Sequence, residues 1–360
     1  MEASLILVIC LVLALAWANG ANDMSKGVAT LMGSGTTSAK NALIWGTIST
    51  TLGGLTAIIW GAELLKTFSS AFLVPDFPVS LSFLGGTLLG ACLWLLLATR
   101  LGWPVSTTHA LLGSLVGAAL AAVGPEGLQA AAIAKKAMLP LLLSPFIAVF
   151  LCAGILWLSR YMAKRMPPRE NDCCTPEVWQ NNPYLCATEK THGKLYRYLP
   201  RLWEILHWLS GGATGFARGL NDVPKIAAML ILALGLVPQS STLDHQNIVI
   251  GATLAVTFMM AVGGIWGGRR VLETLAHGVV PMTPSTGLAA NTGTSLLVLM
   301  ASPLGIPVST THVSTGALFG IRLTDKSVPT QEDALRWILF AWVVTLPVTG
   351  IFAAMASQLF

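Results

Sequence analysis

The stretch Pro104-Val105-Ser106-Thr107-Thr108-His109 is spelled again, letter for letter, at Pro307-Val308-Ser309-Thr310-Thr311-His312. Upstream of each copy stands an Asn-Asp pair, Asn22-Asp23 and Asn221-Asp222. The two aspartates are 199 positions apart and the two final histidines 203. Two polar motifs that keep the same order and almost the same register across half a chain imply duplication of a whole structural unit. Both copies lie in strongly apolar sequence, where polar groups are expensive to keep and therefore point to function.

The composition sets the environment. Of 360 residues, 54% are hydrophobic and only 10% charged, with a mean hydropathy of +0.70. A soluble domain carries about 25% charge, so this chain lacks the polar surface that water requires. It reads as a polytopic membrane protein. A helical span needs roughly 20 apolar residues, and the sequence offers about ten to twelve membrane elements, clearest at 4–18, 42–60, 83–99, 139–158, 248–266 and 337–352. The class is all-α, since a membrane barrel needs short alternating strands and these runs do not alternate. The first apolar run leads directly into the Asn-Asp motif without a basic head or a cleavage site, so it reads as a span and not as a removable signal.

Between the repeats lies a polar stretch. Residues 160–201 hold eight basic and four acidic residues. The expected organisation is a first membrane repeat at 1–165, a basic connector at 166–201 and a second repeat at 202–360. The positive-inside rule places the connector in the cytoplasm of a multi-pass cell-membrane protein. Basic juxtamembrane loops commonly set topology, so nucleic acid is not an expected partner, whereas membrane lipid is. Cys173, Cys174 and Cys186 share the connector with His192, but their spacing matches no strong metal motif. Cys10, Cys92 and Cys152 fall in apolar runs and read as small core residues. No cofactor or enzyme fingerprint is present. Two identical Ser-Thr-Thr-His runs suit symmetric binding better than catalysis, which rarely needs two nucleophiles, so the chain does not read as an enzyme.

Regular helix is expected to fail at both kinds of motif. Gly102-Trp103-Pro104 halts one apolar run immediately before Ser106, Thr107 and Thr108, and the Gly and Asn residues at positions 19–22 close another. Irregular backbone survives at membrane depth only where it lines a cavity or is covered by protein. Proline is tolerated in the first turn of a helix, so each Ser-Thr-Thr triplet is expected to open a half-helix. There, free N–H groups and the positive dipole end favour an anion. Two such turns from facing halves would surround one tetrahedral oxyanion.

The chain resembles the inorganic phosphate transporter (PiT) family of membrane permeases. The resemblance rests on Gly20-Ala21-Asn22-Asp23, Gly219-Leu220-Asn221-Asp222, both hexapeptides and Arg270-Val271-Leu272-Glu273-Thr274. It covers both halves. What it implies is a phosphate permease of two inverted repeats with broken or re-entrant helices, coupled to sodium or protons and often a homodimer. It also implies that Ser106, Thr107, Thr108, Ser309, Thr310, Thr311, Asn22 and Asn221 bind the anion, with sodium close to Asp23 and Asp222.

Three departures from the family pattern alter the charge. Lys26 and Lys225 stand where the family usually has Asn, each three residues after its aspartate and on the same helical face. Arg218 replaces a common His. Asn291 stands where the family tends to have Glu. The lysine ammonium groups are therefore expected either to occupy the sodium positions, leaving proton coupling or none, or to pair structurally near an interface. The residues that couple ions or balance charge are then Asp23, Asp222, Lys26, Lys225, Arg218 and Asn291. His109 and His312 read as packed side chains, with proton relay as the alternative. Glu273 is expected to pair with Arg269 or Arg270. Sulfate remains the alternative substrate: phosphate can donate a hydrogen bond and sulfate cannot, so a carboxylate beside the anion would separate them.

Overall fold

The computed structural model describes residues 2–165, 194–236, 244–325 and 332–360. Cys173, Cys174, Cys186, His192 and most of the connector lie outside them. The described residues form thirteen principal helices and no β-strand. The first half contains α1 (Glu2–Asp23), α2 (Ser25–Gly33), α3 (Ala39–Trp60), α4 (Ala62–Ser70), α5 (Leu81–Leu101), α6 (Thr107–Ala122) and α7 (Leu139–Arg165). The second contains α8 (Lys194–Gly235), α9 (His245–Gly267), α10 (Arg269–His277), α11 (Pro284–Ala301), α12 (Thr310–Thr324) and α13 (Glu332–Ala356). Seven helical stretches among the described residues are long and apolar enough to cross a membrane. Large apolar side chains face outward, Ile59 and Val343 each at 75% exposure, while aspartate, lysine and arginine lie inside. That inversion of the soluble pattern is what lipid as solvent selects.

The repeats are inverted, and close contacts give their directions. Along α3 and α8, Trp45 meets Gly212, Ser49 meets Gly215, Thr50 meets Gly219 and Gly54 meets Val223. Both numbers rise together, so the helices run parallel. A turn of a few residues at 34–38 joins α2 to α3, and such a turn reverses the chain. Hence α8 runs opposite to α1, its counterpart. The same crossing is built twice. A Cβ at Gly53 would lie 2.0 Å from the Phe216 carbonyl oxygen, and one at Gly219 would lie 2.1 Å from that of Thr50. In the mirror crossing of α1 and α9, a Cβ at Gly263 would lie 1.9 Å from the Trp17 carbonyl oxygen and one at Gly20 would lie 2.0 Å from that of Met260. Small residues let membrane helices approach backbone to backbone.

Each half also carries a re-entrant hairpin, and local sequence explains both. Gly102 ends α5 with φ +74°, and Gly305 follows α11 with φ +68°, a conformation that glycine adopts without steric cost. Pro104 and Pro307 then keep the chain from resuming helix too early, and Ser106 and Ser309 cap the next one by accepting from the His109 and His312 N–H groups, both at 3.2 Å. The returning helices exchange partners: α6 packs on α13 through Gly113 and Gly117, and α12 packs on α7 through Gly316 and Gly320.

Two expectations are corrected here. The Asn-Asp pairs do not break the helices. Only Met24 separates α1 from α2, with helical dihedrals and its N–H bonded to the Gly20 carbonyl, and α8 passes through Asn221 and Asp222 without interruption. Each carboxylate finds side-chain partners nearby, so the backbone ladder has no need to open. Cys10 is exposed on the outer face of α1, whereas Cys92 and Cys152 are buried.

Candidate functional site

The hairpin tips meet α1 and α8 in the middle of the protein. Asp23, Lys26, Arg218, Asp222 and Lys225 are all at most 3% exposed. Desolvating a single ion costs several kcal/mol even after relaxation, so five such groups persist only because they satisfy one another. Lys26 pairs with Asp23 and donates to the Thr311 hydroxyl and, at 2.9 Å, to the Val105 carbonyl. Lys225 lies 3.4 Å from Asp222 and donates to the Thr108 hydroxyl at 2.7 Å and the Val308 carbonyl at 3.2 Å. The pattern is crosswise: the lysine of each repeat holds a threonine of the other. Two carboxylates against three cations leave the cluster with one formal positive charge.

Arg218 extends the cluster. Its Nε lies 3.6 Å from Asp222, and its terminal nitrogens reach Thr50 Oγ1 at 3.2 Å and the Asn19 side-chain and backbone oxygens. Asn19, which the sequence marks only as part of a helix end, joins both aspartates, donating to Asp23 at 3.1 Å and to Asp222 at 3.4 Å, and to Thr107 Oγ1 at 2.9 Å. A signal was present: Asn19 lies 199 positions before Arg218, the same spacing that separates the two Asn-Asp pairs.

The hydroxyls divide their roles. Ser106 and Ser309 are committed to capping. Thr107 donates to Asp23 at 3.0 Å. Thr108 and Thr311 donate to the Val308 and Val105 carbonyls at 3.3 and 2.7 Å while accepting from the lysines. Thr310 is buried beside them. Asn22 and Asn221 hold the hairpin tips. Asn22 donates to Thr99 and to the Trp103 carbonyl and accepts from the Val105 N–H at 3.1 Å, while Asn221 donates to the Val308 carbonyl and accepts from Ser302. Asn22→Ala should therefore lower the thermal midpoint in detergent, since each buried backbone group left unpaired costs about 1–3 kcal/mol.

Asn291 touches the charged cluster only across a small cavity. It donates to Thr30 at 2.7 Å, beside His207, and shares with Lys26 the wall of a cavity of about 10 Å³, about the space of one water. His109 and His312 meet across the repeat boundary as tilted rings with centroids 4.3 Å apart, and His312 stacks on Trp342 at 3.8 Å. Glu273 accepts from Arg269 at 2.9 Å, as expected.

The profile of the phosphate transporter family matches residues 19–353. The chain belongs to this family. Among its relatives is a probable low-affinity inorganic phosphate transporter of Mycobacterium leprae, 28% identical over 349 residues, which cover 96% of this chain and 75% of that protein. Another is a putative phosphate permease of Pyrococcus abyssi, 27% identical over 407 residues, covering 100% and 98%. A solved structure of a sodium-dependent phosphate transporter superposes with a TM-score of 0.82 at 21% identity, covering 99% of this chain and 98% of that one. That likeness establishes the shared fold. The chain is thus a multi-pass membrane transporter and not an enzyme.

Proposed function

We propose that this transporter moves inorganic phosphate by alternating access and that tethered lysine ammonium groups replace sodium at its centre. The crosswise contacts of Lys26 with Thr311 and Lys225 with Thr108 carry this reading. A bound oxyanion exchanges those contacts for its own, accepting from both ammonium groups, from the threonine hydroxyls and from the first-turn N–H groups of α6 and α12. The cluster's one formal positive charge is neutralised by monovalent phosphate. The inverted hairpins supply two gates related by symmetry, which suits rocking of one repeat against the other about a fixed site.

The carboxylates favour phosphate over sulfate. Asp23 and Asp222 sit in the same cluster as the threonines and can accept the hydrogen bond that only a protonated phosphate offers. Because the lysines occupy the cation positions beside the aspartates, the coupling ion in this reading is the proton. The basic connector faces the cytoplasm and the protein resides in the cell membrane.

Proteoliposome uptake of labelled phosphate tests the reading, with sodium and pH gradients applied separately and sulfate as competitor. The expected result is saturable uptake driven by a proton gradient, indifferent to sodium and poorly inhibited by sulfate. The double substitution Lys26→Asn and Lys225→Asn should then create a requirement for sodium. Wild-type uptake that needs sodium, or sulfate competing better than phosphate, overturns the proposal.

A further inference from the structure

An open pocket of about 720 Å³ lies where the end of α5 meets the start of α10, and Trp17, Thr99, Arg100, Arg269, Arg270 and Glu273 line it. Three arginines and one glutamate thus stand on its wall. Arg269 is paired with Glu273 at 2.9 Å, and Arg270 donates to the Arg100 carbonyl at 2.7 Å, tying α10 to the hairpin tip. Arg100 is exposed, and its guanidinium has no hydrogen bond or ion pair among the described residues. The pocket also abuts the buried cluster. Thr99 forms part of its wall and accepts at 3.1 Å from Asn22, the residue next to Asp23 and the one that holds the Val105 N–H.

The inverted repeat supplies an internal control. Gly102 lies against the Thr274 side chain, and the Gly305 carbonyl accepts from Thr67 at 3.1 Å. Thr67 and Thr274 are 207 positions apart, so α4 is the counterpart of α10. On that alignment Ala62 and Glu63 stand opposite Arg269 and Arg270, and Lys66 stands opposite Glu273. Thr99 corresponds to Ser302, which makes Pro303 the counterpart of Arg100. The symmetric position on the other side therefore has no arginine, and its charge pattern is reversed. The arginine side can be placed: α11 runs parallel to α8, with His207 beside Gly287, Thr214 bonded to Asn291 and Asn221 bonded to Ser302. The start of α11, and the end of α10 just before it, thus lie at the connector end of the protein, and the pocket at the start of α10 lies deeper, level with the α5 hairpin tip that α10 covers from that end.

We infer that this pocket is a second binding site for a phosphate-type oxyanion, a vestibule on the connector side through which the anion passes to or from the buried cluster, with no equivalent on the opposite side. The inference rests on the proposed transport of phosphate. Planar guanidinium groups match phosphate oxygens in pairs, and a positive recess raises the local anion concentration. Glu273 opposes this by neutralising Arg269. The consequence is a sided transporter: the connector face binds phosphate more tightly than the other face, so the anion accumulating there slows further uptake.

The test compares KM for inorganic phosphate presented at each face, in phosphatidylcholine vesicles with orientation read from a protease site placed in the connector. Arg100→Gln should raise the connector-face KM about fivefold relative to the other face, the effect of one charge contact at a wet surface. Glu273→Gln should lower it, by releasing Arg269. Opposite signs from two substitutions in one pocket do not arise from general damage to the fold. An unchanged ratio in both variants overturns the inference. So does a ratio that moves only when phosphatidylglycerol is added, since the arginines would then be holding lipid headgroups. Should the wild type carry sulfate in place of phosphate, the proposed function falls, and the same ratio read with sulfate still decides the vestibule.

Discussion

Lys26→Met is expected to cost about 3–5 kcal/mol of stability, the range for breaking a buried ion pair, and to abolish phosphate uptake. Asp23 would keep Asn19 and Thr107 as donors but lose its counter-ion, and the Val105 carbonyl and Thr311 would lose the ammonium that joins them to α2. Lys225→Met should also stop uptake, with a smaller loss of stability, because Asp222 retains Arg218 at 3.6 Å and Asn19 at 3.4 Å. Replacing both partners separates structure from transport. Removing both charges of a buried pair is often nearly neutral for stability, so the double variant Asp23→Asn, Lys26→Met should recover much of the thermal midpoint and still fail to carry phosphate. Thermal unfolding in detergent beside proteoliposome uptake reads both effects. Transport surviving in Lys26→Met would remove the lysine from the mechanism.

Gly263→Ala and Gly53→Ala should each destabilise the fold more severely than their single methyl group suggests. The added carbon would lie 1.9 Å from the Trp17 carbonyl oxygen in the first case and 2.0 Å from that of Phe216 in the second. Overpacking costs about 1–3 kcal/mol where side chains can move aside. Here the obstacle is backbone, so the crossing helices must separate, and each crossing joins one repeat to the other. The expected outcome is a loss of monodisperse protein on size exclusion and a lowered thermal midpoint. Gly154→Ala is the matched control in α7, where nothing lies within 4 Å of the added carbon, and it should behave as wild type. Equal behaviour of all three would mean that the crossings tolerate a wider spacing than their contacts indicate.

The hairpin tips were legible in the sequence because their structure is decided locally. An apolar run, a glycine, a proline and a Ser-Thr-Thr triplet specify a helix end, a turn and a capped restart with no help from distant residues, and both copies form in that way. The Asn-Asp motifs misled for the complementary reason. Their composition suggests a break, but whether a polar pair opens a helix depends on what satisfies it. Lys26, Thr107 and Asn19 do so for Asp23, and two of these three were visible as polar residues on the same helical stretch. Asn291 was grouped with the charged residues through the family pattern, and the fold sets it beside Thr30 and His207 with one cavity between it and Lys26.

Duplication, membrane character, the all-helical class and the positions of both hairpin tips follow from the order of residues, since hydropathy, helix caps and turns act over a few neighbours. Only the tertiary structure decides that the lysine of each repeat reaches the threonine of the other, that Asn19 links both aspartates, and that one side of the protein carries an arginine pocket its counterpart lacks. The contacts that cross between repeats join residues 117 to 285 positions apart, and they exist because glycine crossings bring two opposed repeats close enough for buried charges to find partners across the boundary between them.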